Sequence, residues 1–276
     1  MDVLYGAILG IVQGLTEFLP VSSSGHLVLA QSLLGFAKHD LFFDVIVHLA
    51  SLLSVFTVMR SQINTIFSQT VLDLKNRRFG LGLNTVSIVF VATLPAVFAG
   101  LFLKSFFENL FSSLVFVGSA FLFTGVLLYC TRFVAHQSES MAEEIYGEKT
   151  LRDLKEKGIL RALLVGLAQV IAICPGVSRA GSTISAGMFL GIPNSAAATL
   201  SFLMVIPAIL GAVILELREV SIESVNFILI GSGFIASYFS GVFALRLVLR
   251  MAQKGKISRF AFYLIPLGIF TLIYSK

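Results

Sequence analysis

An arginine set among glycine and hydroxyl residues interrupts an otherwise apolar stretch: Pro175-Gly176-Val177-Ser178-Arg179-Ala180-Gly181-Ser182-Thr183. These residue types suit an anion. Backbone N–H groups at the start of a following helix, Gly181 among them, form a ready cradle for negative charge. The hydroxyls of Ser178, Ser182 and Thr183 add donors, and the guanidinium fork of Arg179 matches phosphate oxygens. An arginine at membrane depth costs several kcal/mol unless it faces a polar cavity or an anionic partner. A plainer role is an ion pair with Glu17 that serves assembly alone.

A second polar break, Pro20-Val21-Ser22-Ser23-Ser24-Gly25-His26, follows Gln13 and Glu17. Ser22, Ser23, Ser24 and the Gly25 N–H can form another cradle, although serines here also serve as helix caps. His26 can exchange protons near neutral pH. Carboxylate, imidazole and hydroxyl in one short segment are what an activated nucleophile needs. Gln13 sits one helical turn before Glu17 on the same face. It can hydrogen-bond a substrate or weakly ligate a metal, but it cannot act as a base. Asp44 and His48 form a further i, i+4 pair, which either extends the site or bonds neighbouring helices. Asn194 and Ser195 read as an ordinary helix start.

The elements that must carry these groups belong to a membrane. The chain of 276 residues is 57% hydrophobic and 13% charged, whereas soluble domains carry about a quarter charged residues. The net charge of +5 therefore gives no reason to expect nucleic acid; where the positive residues sit relative to the bilayer matters more. Cys130 and Cys174 lack metal-type or CxxC spacing and read as ordinary thiols. No Lys or Arg precedes the first apolar run, so it is expected to belong to the mature fold.

Six apolar stretches are long enough to cross the roughly 30 Å hydrocarbon core, at about 41–59, 85–104, 113–131, 195–215, 225–246 and 259–275. The two breaks are each followed by an apolar piece of only about ten residues, Leu27–Phe36 and Ile184–Ile192. Each predicts a helix, a polar turn and a short helix returning to the same side. The two regions also match without a gap at an offset of 156 residues. Gly10, Gln13, Val21, Ser22, Gly25, Ala30, Leu34 and Gly35 recur as Gly166, Gln169, Val177, Ser178, Gly181, Ala186, Leu190 and Gly191.

Parity then sets the geometry. A re-entrant pair returns to its own side and three spans follow, so the second repeat starts on the opposite face, inverted. The fold expected is all-α: two inverted-topology repeats, each a re-entrant half-helix pair plus three transmembrane helices, six full spans in total. The repeats cover 1–133 and 159–276, joined by a solvated linker at 134–158. Loops near 60–84, 132–161 and 246–259 hold fifteen Lys and Arg, against four (Lys38, Lys104, Arg218, Lys276) on the other face. The first face is therefore expected to be cytoplasmic and both termini outside.

The chain resembles the undecaprenyl pyrophosphate phosphatase family of bacteria, the bacitracin-resistance type. Two motifs carry the likeness. One is Gln13 to Glu17 running on through Phe-Leu-Pro-Val-Ser-Ser-x-Gly-His to His26. The other is Pro-Gly-x-Ser-Arg from Pro175, ending at Thr183. Gln13 stands where two carboxylates otherwise share the segment, and Ala180 replaces a second serine. The resemblance implies removal of the terminal phosphate from a C55 isoprenyl pyrophosphate, with Mg²⁺ or Ca²⁺ as cofactor. It implies Glu17, Ser23, His26 and Arg179 as catalytic groups, with Ser22, Ser24, Ser178 and Thr183 lining the pyrophosphate pocket. Glu17 either orients His26 or holds the metal, with Gln13 beside it. The implied location is the bacterial inner membrane, with the site opening to the periplasm; a homodimer is left open. The rival class is a transporter or flippase of a lipid phosphate, since midplane half-helices are transporter architecture.

Overall fold

The computed structural model describes residues 2–34, 41–103, 106–107, 110, 113–134, 148–216 and 226–275. These residues are helical with short connections: α1 (Asp2–Phe18), α2 (Ser23–Leu34), α3 (Leu41–Val58), α4 (Arg60–Lys75), α5 (Leu81–Phe102), α6 (Leu114–Cys130), α7 (Glu148–Ile171), α8 (Arg179–Phe189), α9 (Asn194–Glu216), α10 (Phe227–Gln253) and α11 (Ala261–Tyr274). Among the described residues, five helices are long and apolar enough to cross a membrane, and six if the pair α3 and α4, bent by 74°, counts as one span. Gly35, Lys38, Lys104, Arg218 and Lys276, and residues 135–147 of the expected linker, lie outside the described residues.

Two expectations change. The loop expected near 60–84 is largely helix α4. Its mean hydropathy is too low for a span, yet it exposes Phe67, Val71 and Leu74. Buried Asp73 ends it by accepting from the Leu83 backbone N–H at 3.1 Å, so a charge read as loop-like organises the turn into α5. The end of the linker is helical and partly enclosed: α7 begins at Glu148, and Thr150 and Leu151 are buried while Arg152 is exposed. Gly158, at φ 80°, interrupts α7 ahead of its apolar part.

Both polar breaks fall between a helix and a short helix of 12 or 11 residues. Proline explains the stops, because it has no N–H to continue the ladder. Beyond Ile171 the chain makes three successive i−3 turn bonds, from the Ala172, Ile173 and Cys174 N–H groups, before Pro175. Pro20 to Ser22 and Pro175 to Ser178 are all buried. Non-helical backbone is tolerated at membrane depth only when enclosed by protein or lining a cavity.

The helix pairings are symmetric between the two halves. α1 lies along α10 and α7 along α5, while α6 pairs with α11. α9 is the most enclosed span, 56% buried in its apolar window. Small residues permit these approaches, as in membrane bundles generally. A Cβ on Gly10 would lie 2.2 Å from the Gly233 carbonyl oxygen of α10, and one on Gly166 would lie 2.3 Å from that of Ala92 in α5. Gly6 and Gly14 continue the first stripe. Replacing Gly10 by valine is expected to cost about 1–3 kcal/mol or more through overpacking, seen as a lowered melting temperature in detergent. Gly231→Ala, where a Cβ meets nothing within 4 Å, is expected to leave it unchanged.

Candidate functional site

The two breaks meet. A Cβ on Gly25 would stand 2.7 Å from the Gly176 Cα and 2.6 Å from the Phe121 ring, so only glycine allows this approach. Each short helix is capped by the serine preceding it. Ser22 Oγ accepts from the Gly25 N–H at 3.3 Å, and Ser178 Oγ from the Gly181 N–H at 3.0 Å. These caps are equivalent at the 156-residue offset and use the same spacing. Ser22 adopts φ 71°, a left-handed conformation that is costly for a residue with a Cβ and is found where surrounding structure enforces it. On the other side, the Thr124 hydroxyl of α6 donates to the Gly176 carbonyl and accepts from the Ser178 N–H.

The first residues inside the capped helices are Ser23 and Arg179, and both reach Glu17. Arg179 Nη2 pairs with Glu17 Oε1, while Glu17 Oε2 accepts from Ser23 Oγ at 3.0 Å and from Gln13 Nε2 at 3.2 Å. The carboxylate therefore joins the end of α1 to the starts of α2 and α8. Arg179 Nη1 and Gln13 Oε1 remain buried without a hydrogen-bond partner, one donor and one acceptor adjoining the carboxylate. Arg179 also borders a cavity while it is paired with Glu17.

A cavity of about 480 Å³ opens beside this group. Glu17, Ser22, Ser23, Ser24, Ser178 and Arg179 line its polar part, and residues of α5 and α9, with Ala172 and Ile173 just beyond α7, form a mainly apolar wall.

Other expected site residues lie elsewhere. His26 does not meet Ser23. Its Nδ1 bonds to the Ser22 carbonyl at 2.7 Å, and its Nε2 to the Tyr263 hydroxyl at 2.8 Å. Since a carbonyl only accepts, the neutral ring carries its proton on Nδ1. The ring also stacks on Tyr263, with planes 11° apart. Both nitrogens are engaged, so Glu17 takes the place next to the Ser23 hydroxyl that was expected for His26. Thr183 donates to the Arg179 carbonyl and shares a hydrogen bond with Ser201 of α9. Ser182 is buried without a partner, and neither it nor Thr183 lines the cavity. His48 Nδ1 bonds to the Asp44 backbone carbonyl at 2.7 Å.

Gln169 was missed as a site residue. It lines the cavity, is 3% exposed, and neither amide atom has a partner. Its place opposite Gln13 in the repeat was the available signal. Tyr263 and Thr124 had none, being ordinary polar residues on spanning helices. Leaving a buried amide unsatisfied costs about 1–3 kcal/mol. Gln169→Leu is therefore expected to keep or raise the melting temperature of the substrate-free protein in detergent. A clear fall would show that the amide is already held.

Comparison with known proteins agrees with this geometry. Residues 6–270 match the family described as bacitracin resistance protein BacA. An undecaprenyl-diphosphatase of Alkaliphilus metalliredigens is 37% identical, the match covering 100% of this chain and 99% of that protein. Those of Methanobrevibacter smithii (100% and 98% covered) and Carboxydothermus hydrogenoformans (99% and 97%) are each 38% identical. A polar cluster where two broken helices meet inside an apolar bundle, and these full-length similarities, place the chain in the bacitracin resistance protein BacA family.

Proposed function

We propose that the protein is an integral-membrane phosphatase that converts undecaprenyl diphosphate to the monophosphate and phosphate. Such an enzyme recycles the lipid carrier of peptidoglycan synthesis and, as the family name implies, confers bacitracin resistance. The observation that carries this reading is a single cavity with Glu17, Ser23 and Arg179 at one part and an apolar wall at another. A lipid diphosphate has the same two-part character. The relatives named undecaprenyl-diphosphatase support it.

In the mechanism, Arg179 binds the terminal phosphate, and the Ser22 and Ser24 hydroxyls and half-helix N–H groups complete the cradle. The arriving anion shares the charge of Arg179 with Glu17, which raises the basicity of the carboxylate so that it can act as base. The Ser23 hydroxyl gives its proton to Glu17 and bonds to the terminal phosphorus while the bridging P–O bond breaks. Glu17 passes that proton to the departing prenyl monophosphate. A water deprotonated by the same carboxylate then cleaves the phosphoserine and restores the Ser23 hydroxyl. His26, held by Ser22 and Tyr263, braces the break.

A divalent cation, Mg²⁺ or Ca²⁺, fits the donors present only with the substrate's help. Glu17 is one carboxylate, Gln13 Oε1 is a free oxygen nearby, and among the described residues no three acidic, His or Cys groups cluster. Mg²⁺ is ordinarily bound by one or two carboxylates plus phosphate oxygens. Glu17 and Gln13 would hold it, and when bound it would neutralise charge on the diphosphate.

The architecture proposed is two inverted repeats with re-entrant half-helices, both termini outside and the site open to the periplasm of a bacterial inner membrane. The symmetric helix pairing and the distribution of Lys and Arg support it. Purified protein with Mg²⁺ or Ca²⁺ is expected to release phosphate from farnesyl diphosphate; none would leave the lipid-phosphate transporter. Arg179→Ala and Ser23→Ala are each expected to lose about a hundredfold or more in kcat. Retention of about a tenth of the rate by Ser23→Ala would instead indicate direct attack by water. A cysteine at exposed position Lys254 is expected to react with an impermeant thiol reagent only from the cytoplasmic side. Labelling in intact cells would reverse the topology.

A further inference from the structure

Most glycines inside the helices of this bundle meet a neighbour at once. Gly100 of α5 and Gly211 of α9 do not: a Cβ at either would find nothing within 4 Å. Both belong to the wall of the cavity that holds Glu17 and Arg179. The same wall includes Val97, Leu101 and Ile214, which are 43%, 55% and 56% exposed. A residue that lines the cavity and is also exposed on a spanning helix marks a place where the cavity communicates with the lipid. The opening thus lies between α5 and α9, and glycine stands on each side of it.

We propose that this crevice is the binding site for the isoprenoid chain next to the diphosphate, and that Gly100 and Gly211 set the width of chain it accepts. The proposal rests on the phosphatase reading and adds the path of the tail. The occupant follows from its shape. A polyisoprenoid carries a methyl branch on every fourth carbon and is thicker than a straight acyl chain, so its groove needs missing side chains at the narrowest point. The crevice is also continuous with the polar site, which would hold the head of the same molecule. The cavity's volume of about 480 Å³ is within the usual range of small-ligand pockets, about 300–1,000 Å³. It accommodates a diphosphate and the first isoprene units, and the remainder of a long chain stays in the bilayer.

Gly100→Leu and Gly211→Leu fill the crevice without touching the polar groups. The test compares kcat/KM for farnesyl diphosphate (C15) with that for dimethylallyl diphosphate (C5), whose single isoprene unit fills the least of the crevice. In each variant the C15-to-C5 ratio is expected to fall by about tenfold or more, with alanine at either position intermediate. An unchanged ratio overturns the proposal. Farnesyl diphosphate bearing a diazirine on its terminal isoprene gives a second readout in unmodified protein. It is expected to label α5 and α9, and excess undecaprenyl diphosphate to suppress the labelling. Labelling confined to other helices overturns the proposal, as does labelling of α5 and α9 that a diacyl phospholipid suppresses equally well. Absence of phosphate release by wild type sinks the phosphatase reading alone, since the photolabel still reports where the chain lies.

Discussion

The ion pair between Glu17 and Arg179 is the contact on which the rest of the structure depends. Each charge belongs to a different half of the chain, and each would be costly by itself in these buried, apolar surroundings. Removing either leaves its partner as an uncompensated charge in a medium that screens poorly. The pair therefore fastens the two breaks together and concentrates charge where an anionic substrate can use it. Neither break could hold its charged residue without the other.

That pairing demands a backbone able to bring two irregular segments into contact inside an apolar bundle. Serine caps satisfy the exposed N–H groups of both short helices, and Thr124 bridges the second break to α6. Gly25 removes the side chain that would hold the breaks apart. The local cost is visible in Ser22, whose φ of 71° persists because the cap and the His26 bond to its carbonyl surround it. Farther out, the Gly6, Gly10 and Gly14 stripe lets α1 lie close against α10, a rigid support for the end that carries Glu17.

Much of this was legible in the sequence, because membrane chains advertise their exceptions. Prolines beside serine and glycine in apolar surroundings announce a broken helix, and an arginine there announces an anionic partner. Glu17 was the partner available, and the structure joins them. The hydroxyl side of the site was harder. Ser23, His26 and Glu17 are close in sequence, but only three-dimensional placement shows the carboxylate on Ser23 and Tyr263, from the far end of the chain, on His26. Thr183 looked like a pocket residue and instead meets Ser201 across a helix contact. Helix α4 was hidden for a different reason: its polar residues resemble a loop until Asp73 is seen to be buried against the start of α5. Side-chain direction and long-range partners carry no local signature.

Ser23 and Arg179 occupy the same position, the first residue after the serine cap, in two segments offset by 156 residues. A symmetric pair of identical chains would place two serines there, or two arginines. Two serines would leave the carboxylate without its counter-charge, and two arginines would leave no hydroxyl to be activated. Because both segments lie in one polypeptide, the two positions can differ, and one carries a hydroxyl where the other carries a charge. The backbone keeps its near-symmetry while the chemistry loses it, and a substrate entering this centre encounters a left hand and a right hand that are no longer alike.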